Sequence, residues 1–475
     1  MNSPFKIPLK YQRILKSVFS FAKAKKVKLY LVGGILRDVL LGREKENLDF
    51  DFSLKKGAIS FGKGLAREIK AGFVVLDKEH GACRLVKKVK ELNLTLDFTD
   101  FRGRTLEEDL LYRDFTINAM ALDKNLLIDP YGGKKDLEQK LIKIVNKDSF
   151  SKDPLRILRA FSLASILGFK IESKTLEMTK SERDRLKTVS GERIRDELFK
   201  ILDNPDTFDF LVMLDKLNIL KIIFPEIEKM RDLDQGPYHH LDVFGHSLET
   251  LRQLERLIEE LKKNKEVQAY LNEIISGERK RRALVKLASF LHDIGKPDSL
   301  RYEEGKTKFC GHERIGKEIS KNIAIRLKLS NDEIDALEKM ILWHLRPGYM
   351  SDIEVLSPRA IFRYFRDTGS EAVSTFLISL SDQRATKGPL TSEESRLHHQ
   401  NLVFNLIKEY FKRMKEKRHP RLISGYDLME RFKLEPSPLI GKILGEIEEL
   451  QAIRKIKSKK KALEVAKDIL KRYRS

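Results

Sequence analysis

Asp49 and Asp51 stand two residues apart in "NLDFDFSL". The apolar alternation reads as a strand, so both carboxylates project to one side while Phe50 and Phe52 face the other. Two like charges held side by side repel one another. A cation between them removes that cost, and paired carboxylate oxygens suit Mg²⁺, which takes one or two protein ligands and completes its shell with water and substrate phosphate. Two such ions position an attacking hydroxyl and stabilise a leaving pyrophosphate. The pair alone also fits an edge strand with a polar face, because motifs this short arise by chance. The preceding "LYLVGGILRDVLLG" reads as strand, glycine turn and helix. Gly33 and Gly34 permit close backbone approach, and the amides that open the helix suit a triphosphate. Arg37, one turn along, can reach a phosphate.

Further candidates follow downstream. In "YRDFTINAM", Arg113 is a phosphate clamp, Asp114 a group to orient it, and Asn118 an amide for a ribose hydroxyl or for fixing the turn. "LTLDFTDF" sets Asp97 on another strand, as a third carboxylate or as an edge acid. In "DPLRILRA", Asp153 accepts and Arg156 donates at a spacing of three. On a helix that pair matches a Watson–Crick edge of cytosine or adenine, and its bland alternative is a surface ion pair. Arg159 lies one turn further on.

A second set is built from histidines, eight of ten lying between residues 239 and 399, beginning in "YHHLDVFGHSLETL". His246 lies in that segment, His292 and Asp293 in "LASFLHDIGKP", His312 in "CGHERIGKEIS", His344 in "LWHLRP" and Asp382 in "LISLSDQRAT". Mixed imidazole and carboxylate ligands suit a transition metal, and helices can bring them together in a bundle core.

The elements that must position these groups divide the chain. Residues 8–26 read as an amphipathic helix, and strands mix with helices to about residue 140, which predicts an α/β or α+β domain. Helical spacing then takes over, predicting a helical neck over 141–228, a histidine-rich domain over 229–400 and a basic helical tail over 401–475. The 475 residues suit two to four domains. Lys and Arg number 93 against 71 acids, a formal charge of +22 spread along the chain. A solvated or heat-tolerant surface explains the number of charges but not their imbalance, which points to a polyanion, nucleic acid ahead of a membrane surface. Cys83 and Cys310 are far apart and form no C-x-x-C pair, so neither a disulfide framework nor a thiolate zinc site is indicated, which suggests a reducing compartment. No run is long and apolar enough to span a membrane, and the N-terminus lacks a signal-peptide core. The expected location is the cytoplasm.

Taken in order, "LVGGILRDVLLG" with "LDFDF", "EEDLLYRDFTINAMA" at 107–121, "IDPYGGKKDL" at 128–137 and "DPLRILRA" at 153–160 resemble the class II tRNA nucleotidyltransferases, the family of CCA-adding enzymes and bacterial poly(A) polymerases. The resemblance covers about residues 28–225. It implies a head of the DNA polymerase β type, an enzyme that uses CTP and ATP to extend the 3′ end of tRNA, and Mg²⁺ on Asp49 and Asp51, with Asp97 as a further catalytic acid. It implies nucleotide binding by Gly33, Gly34, Arg37, Asp38, Arg113, Asp114 and Asn118, and base choice by Asp153, Arg156 and Arg159. There are three departures from the family pattern. Lys152 replaces the usual acid, Ser162 an arginine often found there, and Tyr112 the first of two arginines. Only Arg102–Leu106 separate Phe101 from Glu107, where many CCA-adding members carry a longer flexible loop. The shortening resembles the subclass that adds CC and leaves the terminal adenosine to another enzyme. The order H…HD…H…H…D resembles the HD phosphohydrolase superfamily over residues 236–390. It implies metal-assisted phosphoester hydrolysis at His246, His292, Asp293, His312, His344 and Asp382, or a structural module that helps to hold tRNA. The competing functions are a poly(A) polymerase and an HD hydrolase whose head only binds RNA. Sequence does not fix the oligomeric state.

Overall fold

The computed structural model describes residues 9–43, 48–89, 92–124, 126–237, 239–303, 306–388, 392–416 and 420–474. The chain divides into two compact units, Met1–Ile201 with Met213–Ile222, and Leu202–Val212 with Ile223–Ser475.

The first unit is built on seven strands, β1 (Leu29–Val32), β2 (Leu48–Leu54), β3 (Gly72–Asp77), β4 (Ala82–Val89), β5 (Leu92–Asp100), β6 (Ala121–Asp123) and β7 (Leu126–Ile128). Their order across the sheet is β3-β4-β5-β2-β1-β6-β7. Only β2 and β5 run parallel, and their register sets Asp51 beside Asp97. On its other edge β2 sets Asp51 beside Val32. The early helices are α1 (Leu9–Ala24), α2 (Gly34–Leu40), α3 (Ala58–Ile69) and α4 (Leu106–Leu111).

One face of this sheet is core. Phe50, Phe52, Cys83, Leu85, Leu96 and Phe98 are all buried on it. Phe52 stacks on Phe98 with ring centroids 5.0 Å apart. Phe19 of α1 meets Phe52 edge-on, and Phe61 of α3 packs on Phe98. Each buried phenylalanine contributes roughly 1.5–3 kcal/mol. Side chains alternate along a strand, so burying Phe50 and Phe52 forces Asp49 and Asp51 onto the opposite face. The head is therefore α+β, one of the two classes its sequence pattern predicts.

After residue 140 helices dominate, with one difference from expectation. Three two-stranded pairings interrupt them: Leu141–Ile142 with Lys170–Ile171, Ile274–Ser276 with Arg279–Lys280, and Arg301–Glu303 with Lys306–Lys308. Strands of two or three residues are too short to leave a period in the sequence. In the second unit the helix Ala372–Ala385 is buried on nearly every side, as suits a central helix. Its neighbours include Val243–Glu260, Arg281–Leu291 and Asn331–Trp343. The tail helices Gly425–Phe432, Pro438–Ala452 and Lys459–Arg474 enclose a core of their own around Ile440, Ile443, Ile447 and Ile469.

Candidate active sites

The first site begins where β1 ends. Gly33 adopts φ +83, and a Cβ there would lie 2.5 Å from Asp51 Oδ2. Only glycine provides both the left-handed backbone and the clearance. Asp49 and Asp51 are exposed on the open face of β2. The surrounding protein nevertheless desolvates Asp51 enough to raise its pKa; Arg113 opposes the shift, while Asp97 and Asp49 reinforce it. A raised carboxyl between two other acids is a setting that a divalent cation relieves. Asp49 and Asp51 fit that ion as oxygen donors. Asp97 is committed elsewhere, since Arg84 Nε and Nη2 donate to its two oxygens at 2.8 and 2.7 Å.

Beside the aspartates lies a cavity of about 710 Å³, lined by Gly33, Gly34, Arg37, Asp38, Arg43, Asp51, Arg113, Asp114, Asn118 and Arg159, and beyond them by Ser162, Leu163, Ile166, Glu197 and Lys200. Its volume lies within the range of pockets that hold small molecules and cofactors. Most of its cations already have partners. Arg37 is buried, donating from Nε to Asp38 at 2.9 Å and from Nη1 to Asn118 Oδ1 at 2.8 Å. It is thus a brace for the turn rather than the free phosphate contact its spacing suggested. Asn118 passes the connection on, donating to Asp114 Oδ1 at 3.0 Å.

Asp114 was expected to orient Arg113. It pairs instead with Arg159, Nε to Oδ2 at 2.7 Å. Burial opposes its charge, but Arg159, Asn118 and the Phe115 amide outweigh burial and hold the carboxyl below its ordinary range. Arg113 is left the least engaged. Its Nη2 reaches Ser53 Oγ at 3.4 Å, and its buried Nε has no partner among the described residues. An always-charged planar donor with open hydrogen-bonding capacity beside Asp51 suits a phosphate.

The pair expected to read a base is placed differently. Asp153 precedes the helix Leu155–Leu167 instead of lying on it, and it accepts two bonds from Arg193 at 3.1 Å. Arg156 approaches Asp153 only to 3.9 Å and donates to the carbonyls of Tyr112 and Arg113 at 2.6 and 3.2 Å. Neither residue lines the cavity. Ser162 does, donating to the buried Glu197, which also accepts from Lys200 at 2.8 Å. Sequence reasoning missed Arg43, Glu197 and Lys200, although the i, i+3 spacing of the last two was a local signal.

The short connection after β5 is tied down. The Arg102 amide donates to Asp109 at 3.0 Å and the Arg104 amide to Glu108 at 2.6 Å. Thr105 caps α4, whose first turn carries three acids, a combination that favours a helix start.

The second site draws its residues from five helices and the turns that follow two of them. His246 lies on Val243–Glu260, His292 and Asp293 directly follow Arg281–Leu291, His312 opens His312–Arg326, His344 follows Asn331–Trp343, and Asp382 lies on Ala372–Ala385. The structure brings all six together. His246 Nε2 lies 2.8 Å from Asp382 Oδ1, His292 Nε2 3.1 Å from Asp293 Oδ2, and His312 Nε2 3.2 Å from Asp293 Oδ1. The Nε2 atoms of His312 and His344 are 3.4 Å apart. Gly295 allows this convergence, since a Cβ there would collide with the His312 carbonyl.

Three of the histidines share one brace. His292, His312 and His344 set Nδ1 against the carbonyls of Ser289, Phe309 and Ile341 at 2.9, 2.8 and 2.6 Å. If Nδ1 carries the proton, Nε2 presents its lone pair to the centre, the orientation that metal-binding imidazoles require. Burial opposes charge on His292, but Asp293 and Asp382 outweigh it and push its pKa up to about 10. Burial and the other imidazoles lower His344 to about 3. A proton or a cation belongs among these atoms, and the donor set fits a transition metal. Lys296, absent from the expected set, lies 2.6 Å from Asp293 Oδ2. His239 also reaches this centre unanticipated.

Comparison with known proteins matches four family models along the chain: the poly A polymerase head domain at residues 29–143, the RNA and SrmB-binding site of polymerase A at 168–230, the HD domain at 243–368, and tRNA nucleotidyltransferase domain 2 at 393–466. An A-adding tRNA nucleotidyltransferase of Deinococcus radiodurans is 29% identical over 90% of this chain and 92% of its own. A CC-adding tRNA nucleotidyltransferase of Synechocystis is 28% identical over 92% and 93%. A multifunctional CCA protein of Haemophilus influenzae is 32% identical over 81% and 91%. Among solved structures, the Thermotoga maritima CCA-adding enzyme complexed with tRNA shares the fold, with a TM-score of 0.63 at 24% identity over 98% of this chain and 96% of its own.

Proposed function

The chain belongs to the tRNA nucleotidyltransferase family of CCA-adding enzymes, with an HD domain, and from that premise we propose that it adds cytidine, and not the terminal adenosine, to the 3′ end of tRNA. The observation that carries the transfer reaction is Asp49 and Asp51 on one open strand face, with Asp51 lining a cavity that also holds Arg113. Mg²⁺ on the two aspartates would activate the tRNA 3′-hydroxyl and neutralise charge on the triphosphate. The 3′ oxygen forms a bond to the α-phosphorus, and the bond to pyrophosphate breaks. Arg113, with its unpartnered Nε, is the group best placed to take charge on the phosphates. The network Arg37–Asn118–Asp114–Arg159 holds the cavity wall in register. Scattered Lys and Arg grip the tRNA backbone, so binding weakens steeply with salt. The cytoplasm is where such a substrate is found.

The restriction to CC rests on the connection Arg102–Leu106. Hydrogen bonds to Asp109 and Glu108 strap it to α4, so it is short and fixed where a change of specificity from CTP to ATP calls for movement. Relatives of similar identity are named for A addition and for CC addition, so overall likeness does not choose between them. Three tRNAs, ending at the discriminator base, after C and after CC, should be supplied with labelled CTP and ATP separately and together. Growth that stops at CC is expected. Completion to CCA would refute the restriction, and a long adenosine tract on unrelated RNA would refute the tRNA reading in favour of a poly(A) polymerase.

A second reading concerns the helical centre. The three histidines braced through Nδ1 support a metal-dependent phosphoester hydrolase there, acting on a phosphomonoester or a 2′,3′-cyclic phosphate.

A further inference from the structure

The loop that leads into the helix Val243–Glu260 delivers one imidazole more than the ligand set of the helical centre requires. His239 packs edge-on against His246, with ring centroids 4.7 Å apart and planes at 87°. Its Nδ1 is shut off from solvent and has no hydrogen-bond partner among the described residues. Lys296, Asp382 and Asp293 all lie within electrostatic reach of the ring.

This placement is built rather than incidental. The His239 amide closes a turn on the Gly236 carbonyl at 3.1 Å. Gln235, buried, donates to the Leu241 carbonyl at 3.1 Å and accepts from Lys296 Nζ at 2.6 Å. Lys296 Nζ also contacts Asp293 Oδ2. A buried chain Asp293–Lys296–Gln235 thus fastens the His239 loop to the centre itself, at the cost of desolvating an ammonium group. Asp382 is the most open of the six clustered side chains, 22% exposed against 7% or less for the others. Asp382 therefore marks the side of the cluster nearest to solvent, and His239 packs against its partner His246.

His239 differs from the three braced histidines in a way that separates their roles. It lacks the carbonyl three residues earlier that fixes Nδ1, and it meets the cluster through a ring contact and not through a nitrogen directed at Asp293. We propose that His239 is a phosphate-binding residue of the helical centre, contacting a non-bridging phosphoryl oxygen of a phosphoester held there without being a metal ligand. Lys296 sets the loop that carries it. The proposal rests on the hydrolase reading of this centre.

The test uses the full chain loaded with Mn²⁺. It measures bound metal by elemental analysis, orthophosphate binding by calorimetry and hydrolysis of 2′,3′-cyclic AMP. His239→Ala is expected to keep its metal and to bind orthophosphate at least about tenfold more weakly, the loss of one hydrogen bond to a charged group. His239→Gln, which keeps a donor, is expected to recover part of that affinity, and His292→Ala to lose the metal. Loss of metal in His239→Ala as in His292→Ala would overturn the proposal by making His239 a ligand. Unchanged phosphate binding in both His239 variants, with binding lost in His292→Ala, would overturn it alone. Failure of the metal-loaded wild-type chain to bind orthophosphate or to hydrolyse the diester would overturn it together with the hydrolase reading.

Discussion

The nucleotide cleft and the helical centre both gather charges that repel, and they resolve the problem in opposite ways. At the cleft, Asp49 and Asp51 share one strand face open to water, and the nearby carboxylates Asp97 and Asp114 are each neutralised by an arginine, Arg84 and Arg159. On the proposed function the aspartate pair would hold an ion whose remaining ligands come from solvent and triphosphate, as suits a site that must exchange substrates at every turnover. In the helical centre, His246 and Asp382 meet across 136 residues, five of the six clustered side chains are at most 7% exposed, and backbone carbonyls orient the imidazoles. That arrangement supplies most of an ion's ligands from the protein itself. A strand pair makes an open, exchangeable site; convergent helices make a closed one.

Separate knockouts put this contrast to its strongest test. Asp51→Asn should lower nucleotide incorporation by at least about 10³-fold, since several kcal/mol of charge stabilisation is lost at 1.36 kcal/mol per decade. Metal bound at the helical centre should not change. His292→Ala should do the reverse, losing that metal and leaving incorporation within about threefold. Incorporation assays on repurified tRNA, paired with elemental analysis, check both. If His292→Ala also abolished incorporation, the two centres would not be independent.

Glycines give a finer test, because each site depends on one for a close approach. In Gly33→Ala the new Cβ meets Asp51 Oδ2, and φ +83 becomes strained, at a cost of about 1–3 kcal/mol. A displacement of about 1 Å at the reacting centre lowers the rate about 100-fold, so kcat should fall by that order while tRNA affinity holds. Gly295→Ala drives a Cβ into the His312 carbonyl. It should weaken metal binding at the helical centre and spare incorporation. Single-turnover kinetics and metal titration distinguish the two effects.

The same contrast governs what could be read in the sequence. The strand carrying Asp49 and Asp51 was legible because a two-residue period is local and Phe50 and Phe52 announce the buried face. The six residues of the helical centre were legible as an ordered set, although their separation along the chain hid the geometry. Side-chain partners were not legible. Asp114 chose Arg159, 45 positions away, over its neighbour Arg113, and Asp153 chose Arg193 over Arg156. Periodicity states which way a side chain points, but an ion pair depends on which element packs opposite, and that is fixed by the tertiary fold. His239 escaped notice for the same reason, since a loop has no period and its ties to the centre, through Gln235, Lys296 and the His246 ring, are tertiary.

The smallest expected effect concerns Asp114, where the cleft achieves with protein charges what its aspartate pair leaves to an ion. The Asp114 carboxyl is held below its ordinary range because Arg159, Asn118 and the Phe115 amide overcome burial. A depressed folded value means stability that is present above the unfolded pKa of about 3.9 and lost as pH falls through the lower folded one. Asp114→Asn removes that contribution, so the difference from wild type should be about 2 kcal/mol at pH 7, the scale of hydrogen bonds to a charged group, and should shrink as pH drops below about 4. The only tryptophan, Trp343, belongs to the second unit, so its fluorescence does not report the change. Hydrogen exchange at the β2 amides, followed from neutral to acid pH, does. A difference that stayed constant through acid pH would mean that Asp114 contributes by shape and not by charge. The cleft would then owe its stability to packing, as Phe52 and Phe98 provide on the other face of the sheet, and the Asp114–Arg159 pair would serve only to aim Arg159 into the cavity.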